Sequence, residues 1–136
     1  MADSFYSYLA FIQPTSNADI IVLKRLLAEF YSTQTLEDTP IISLVDDKIT
    51  LTFSDNYRFF IHLSDEIHVI VEAKEFAQEN SLDWNEEPFD KKKLETSNKR
   101  FEISGDDDFD MGRFKDSLFI LHVIERFTGI IIFNGS

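Results

Sequence analysis

The sequence predicts a single α+β domain with a mostly antiparallel sheet packed with about three helices, and three patterns carry that prediction. Ile49, Leu51 and Phe53, and after them Tyr57, Phe59, Ile61 and Leu63, recur at every second position, the period of a half-buried strand. Ile20, Leu23, Leu27 and Phe30 recur at helical spacing, with Lys24, Arg25 and Glu29 on the other side. From Asp110 to Phe127 apolar residues cover most of a helix's circumference, as expected of a helix buried against a sheet and a second element.

Taken in order, Phe5 to Ile12 is rich in aromatic and branched residues and reads as a strand that ends at Gln13-Pro14. Ser16 to Asp19 resembles a capping box, with Ser16 as N-cap and Asp19 reaching back, ahead of a helix from about 18 to 32. Ile41 to Val45, Ile49 to Phe53 and Tyr57 to Leu63 form an antiparallel three-stranded meander. Asp46-Asp47 makes its first turn without the glycine such turns prefer. Ser64 and Asp65 cap a second helix bearing Val69, Ile70, Ala73, Phe76 and Ala77 on one face, although His68 to Val71 also suits a strand.

Residues 80–99 are the one long irregular stretch, a polar surface excursion holding Trp84, Pro88 and Lys91-Lys-Lys93. Phe101 and Ile103 mark the next strand, and the last helix runs from about Asp110 to Phe127. Phe114, Leu118 and Leu121 share one side of that helix, Ile120, Val123, Ile124 and Phe127 cover much of the remainder, and Thr128-Gly129 ends it. Ile130 to Phe133 is continuously apolar, as in a strand covered on both faces. The order is β-α-β-β-β-α-β-α-β, one domain over residues 1–136, and a ferredoxin-like core or related sandwich is the nearest description. Phe101 to Phe133 is then the buried spine, with two strands that can lie parallel.

Composition narrows the function classes. A net charge of −12 and a pI near 4.5 disfavour nucleic-acid binding through a broad basic surface and would steer the chain toward basic partners. With no cysteine there is no disulfide, thiol nucleophile or thiolate metal site, which fits the cytoplasm. The N-terminus lacks the basic residues of a secretory signal, and no apolar run is long enough for a membrane span. A soluble cytoplasmic protein is the expectation.

The sharpest chemical feature is the turn Asp106-Asp-Asp-Phe-Asp110. Carboxylates at Asp106, Asp108 and Asp110 have the alternate spacing of calcium loops. An EF-hand would want glycine where Met111 stands and glutamate where Ser117 stands, so capping of the following helix is the preferred reading. His62 and His68 can approach one another across a turn, but no local zinc pattern surrounds them. His122, Glu125 and Arg126 read as a surface ion-pair stripe. Glu86-Glu87 read as solvated acids, and Lys91–Lys93 with Lys99-Arg100 as a solvated basic loop, beside Trp84 as an exposed-aromatic candidate. No nucleophile elbow or phosphate-cradling glycine loop is present.

These observations name no catalytic, cofactor or metal residue. They predict a non-enzymatic acidic protein-protein interaction domain with a protein partner, by size and charge analogous to small bacterial inhibitor or immunity proteins. The alternative is a small-ligand or divalent-metal-binding domain that uses the turn at 106–110.

Overall fold

A computed structural model describes residues 5–34, 38–79 and 94–134. Strand β1 (Phe5–Ile12), helix α1 (Ile20–Thr33), strands β2 (Ile41–Val45), β3 (Lys48–Thr52) and β4 (Arg58–Ser64), helix α2 (Ile67–Glu79), strand β5 (Lys99–Gly105), helix α3 (Phe114–Ile124) and strand β6 (Ile130–Asn134) follow the predicted alternation. The strands form one six-stranded sheet, in the order β2-β3-β4-β5-β1-β6, with every neighbouring pair antiparallel. β5 and β6 therefore run in the same direction but are separated by β1. This is the split β-α-β arrangement that ferredoxin-like sheets also use.

Strand periodicity assigns side chains to two faces. Ala10, Ile12, Ile49, Leu51, Phe59, Ile61, Phe101 and Ile103 belong to the main core, where they meet Leu23, Leu27 and Tyr31 of α1 and Ile120, Val123 and Ile124 of α3. Phe11 takes the opposite parity and joins Val69, Ala73 and Ala77 of α2, together with Leu94. Ile130 and Ile132 pack toward the first cluster and Ile131 and Phe133 toward the second, so β6 is half-buried on both faces. No helix among the described residues is long and apolar enough to cross a membrane.

Local structure departs from the sequence reading in three places. The N-cap of α1 is Asp19, whose carboxylate accepts from the N–H groups of Ile21 and Val22. Ser16 is drawn away instead, donating to the carbonyl of Thr128 and so tying the start of α1 to the end of the α3 segment. Residues His68–Val71 belong to α2, as its helical face predicted, and do not take the strand alternative. α3 begins later than predicted, at Phe114, because Met111 adopts φ 59° and turns the chain before a helix can start.

The third departure concerns burial. α3 buries Ser117, Ile120, Val123 and Ile124, whereas Phe114 and Leu118 are exposed and Leu121 is only half-buried. Of the two apolar sides expected to be covered, the one made by Ile120, Val123, Ile124 and Phe127 is buried and the one made by Phe114, Leu118 and Leu121 is not. Most of the excursion, including Trp84, Glu86-Glu87 and Lys91–Lys93, lies outside the described residues. Its last part is no surface loop: Leu94 is wholly buried under α2, and the buried hydroxyl of Ser97 accepts from Gln13 Nε2 at 2.8 Å.

Two glycines and a turn aspartate are required by geometry. Gly129 sits at φ 64°, where any side chain would be strained, and its carbonyl accepts from Gln13 N. A Cβ on Gly105 would lie 2.5 Å from the Tyr57 hydroxyl oxygen. Asp46 supplies the left-handed conformation of the β2–β3 turn at φ 55°, a role aspartate tolerates better than most residues.

Candidate functional site

The chain leaves β5 through the acidic turn, and the three alternate carboxylates there have three different surroundings. Asp106 Oδ2 accepts from both the backbone N–H and Nε of Arg58, each at 3.1 Å, and its carbonyl accepts from the Tyr57 hydroxyl at 2.6 Å. Asp108 accepts from the Tyr6 hydroxyl, from Gly112 N at 3.1 Å and from Arg113 N at 2.7 Å. Asp110 is exposed. Burial pushes the Asp108 carboxyl up, but the Tyr6 hydroxyl and the two backbone donors outweigh it and hold the group below the usual carboxylate range. Asp108 therefore braces the turn, and the N-cap position of α3, Arg113, has no side-chain cap of its own.

Tyr6 reaches Asp108 because β1 is irregular. Between Phe5 and Tyr8 its register against β5 shifts, and Tyr6 takes φ 54°. An extra residue in one strand re-aims the side chains around it. The Tyr6 hydroxyl also lies 3.8 Å from Met111 Sδ, and its ring stands 6.4 Å from that of Phe114.

Arg113 gathers a second set of acids. Its Nη2 contacts Asp38 Oδ2 at 2.8 Å and Asp55 Oδ1 at 3.0 Å, while Nη1 lies 3.4 Å from Asp116 Oδ2. Tyr31 donates to the other oxygen of Asp116 at 2.8 Å. Burial alone would lower the Arg113 pKa, yet hydrogen bonds to Asp38 and Asp55 dominate and raise it. The same guanidinium holds Asp38 low, helped by Ser54. Asp55 is held low first by the Tyr57 backbone N–H and then by Arg113. One end of the molecule therefore collects Asp38, Asp55, Asp106, Asp107, Asp108 and Asp110, with Arg58, Arg113 and Lys115 as its nearby cations.

Within this acidic end lies an apolar ridge. Phe109 is 82% exposed, Met111 51%, Phe114 43% and Leu118 45%. Phe5 stacks edge-on against Phe109 at 5.1 Å, and Tyr6 links the ridge to the sheet. Leaving four large apolar side chains together in water is costly, and contiguous patches of this kind mark interaction surfaces. Sequence reading placed Phe114 and Leu118 in the core because a helical pattern cannot reveal what lies beyond the helix. In the fold, α3 has the sheet and α1 beside it, and among the described residues no layer lies over its outer side.

A different arrangement occupies the other sheet face, where α2 packs on β1 and β5 while, among the described residues, Ile41, Val45 and His62 stand exposed. His62 and His68 both approach Glu102, at 3.5 and 3.8 Å, so the predicted meeting of the two histidines occurs through a shared carboxylate. Arg100 is the anchor. Its side chain is 7% exposed and binds Glu72 at 2.7 Å and Glu102 at 2.8 Å, so it is a buried strand residue and not part of a solvated basic loop. Burial raises Glu102, but Arg100 and then His62 bring it below the ordinary range. A trough of about 730 Å³ opens beside this network, between Phe60, Lys48, Ser104 and Leu9.

His122 stands apart from both regions. Its ring lies 6.5 Å from that of Phe30, and no ion pair among the described residues joins it to Glu125 or Arg126. No group of three or more His, Asp or Glu side chains among the described residues is arranged to hold a metal ion. Compared with protein-family models, with curated proteins and with solved structures, the chain gives no match.

Proposed function

We propose that this chain is a non-enzymatic interaction domain that docks a basic protein partner through its acidic end. The observation that carries the reading is the set of exposed side chains Phe109, Met111, Phe114 and Leu118, which alternate along the chain with Asp108, Asp110 and Asp116. Apolar side chains at the centre of a charged patch are the usual layout of a protein interface, with the core supplying affinity and the rim supplying steering. The net charge of −12 adds long-range attraction toward a basic surface. A bacterial inhibitor or immunity-type role in the cytoplasm fits this layout, because an acidic face with an apolar centre can occlude a basic nuclease cleft.

The test is capture by tagged protein from the native lysate, compared with a Phe109→Ser, Phe114→Ser double variant. A stoichiometric basic partner is expected on the wild-type chain, weakened at about 0.5 M salt by screening. The double variant should release it, while Ile21→Ser, at a position 67% exposed on α1, should retain it. Equal capture by all three proteins would place the interface elsewhere and overturn the reading.

A further inference from the structure

We infer that β2 is a self-pairing edge, through which two copies of this chain join their sheets across a twofold axis at Ser43. Among the described residues β2 has a neighbour on one side only, β3. Natural edge strands are normally blunted by charge, a bulge or a covering element. β2 reads Ile-Ile-Ser-Leu-Val, without a charge, and its register against β3 is regular. Ile41 and Val45 stand 76% and 68% exposed on the uncovered sheet face.

Backbone parity identifies the groups that β2 offers. Leu63 N donates to the Asp47 carbonyl and Phe53 N to the Tyr57 carbonyl, so the odd-numbered residues of β3 bond toward β4. Its even-numbered residues Lys48, Thr50 and Thr52 then bond toward β2, where they face Val45, Ser43 and Ile41. Alternation leaves the N–H and C=O groups of Ile42 and Leu44 pointing outward. An antiparallel copy centred on Ser43 sets Ile42 opposite Leu44 of the second copy, and Leu44 opposite its Ile42. These are the two outward-bonding residues, so the hydrogen bonds close in both directions.

Side chains match in the same register. Ile41 falls opposite Val45 on the open face, Ile42 opposite Leu44 on the core face, and Ser43 opposite Ser43 at the axis. Apolar meets apolar on both faces, and each half of the contact repeats the other, as a twofold interface requires. Charge, the main obstacle to self-association of so acidic a chain, is also accommodated. Asp46 and Asp47 fall opposite Pro40 and Thr39 and not opposite one another. A foreign strand would need its own match to this pattern, whereas the second copy has it by symmetry.

The absence of native cysteine makes the test direct. Ser43→Cys places two thiols at a non-hydrogen-bonded pair, where side chains come closest, within reach of a disulfide. Under mild oxidant it should convert to a covalent dimer much faster than Ile21→Cys, an exposed control on α1. Sedimentation of the wild-type chain should give a concentration-dependent dimer. Ile41→Lys with Val45→Lys, both at exposed sites and therefore compatible with folding, should raise its dissociation constant roughly tenfold or more. A wild-type monomer at every concentration, or Ser43→Cys cross-linking no faster than the control, would overturn the inference. A folded, dimeric lysine variant, with folding checked by circular dichroism, would do the same.

Discussion

The guanidinium carbon of Arg113 lies 4.1 Å from the ring centroid of Phe53, flat enough against the core to be only 15% exposed while meeting three carboxylates. A cation over an aromatic face gains from the ring quadrupole, and its planar fork still points outward to acids. Asp38, the β3–β4 turn and α3 are thereby joined at one group.

Replacing Arg113 with methionine keeps much of its packing and removes its charge. Asp38, Asp55 and Asp116 would then face one another without their cation, and the partly buried hydrogen bonds would be lost. A loss of about 2–3 kcal/mol is expected in urea unfolding, the range for charge-assisted hydrogen bonds. A change below about 0.5 kcal/mol would show that water replaces the guanidinium without cost.

Acid should destabilise the protein through the same end of the molecule. Asp38, Asp55 and Asp108 all have folded pKa values below the ordinary carboxylate value. Groups depressed in the folded state contribute stability that is present above the unfolded pKa, near 3.9, and is lost as pH falls through the folded pKa. Melting temperature should therefore drop as pH is lowered below about 4. Asp108→Asn should reduce that slope. A melting temperature that does not vary between neutral pH and the acid range would contradict the depressed values.

Core substitutions should separate the buried and open sides of α3. Ile124→Ala removes a wholly buried side chain and should cost about 2–5 kcal/mol. Leu121→Ala, at a half-buried site, should cost at least about 1 kcal/mol less. Equal losses in thermal or chemical unfolding would mean that Leu121 is covered after all.

The ridge should respond in the opposite way. Phe109→Ser is expected to change folding stability by no more than about 0.5 kcal/mol, because the side chain is 82% exposed. It should nevertheless weaken partner capture. Destabilisation without a change in capture would assign the residue to folding alone.

Much of the architecture could be read from local pattern. Alternation from Ile49 to Leu63 located β3 and β4, and the spacing of Ile20, Leu23 and Leu27 located α1 and its buried face. The candidate site was legible only in part. The Asp106 to Asp110 turn stood out in the sequence, but nothing in the chain's local order links it to Tyr6, which lies 102 residues from Asp108. Nor does any spacing signal mark Arg113 as the partner of Asp38, 75 residues away.

The sequence by itself determined the element order and the parity of β3, β4 and β5, because those follow from backbone period and from neighbours a few positions apart. Tertiary structure alone decided which apolar faces find cover. Phe114 and Leu118 look like core in a helical pattern and are left open because no element among the described residues packs beyond α3. It likewise decided the long-range ion pairs, since Glu102 meets His62 and His68, and Arg100 meets Glu72, only once β4, β5 and α2 are set side by side. Burial and charge pairing are properties of position in space, which the chain acquires on folding.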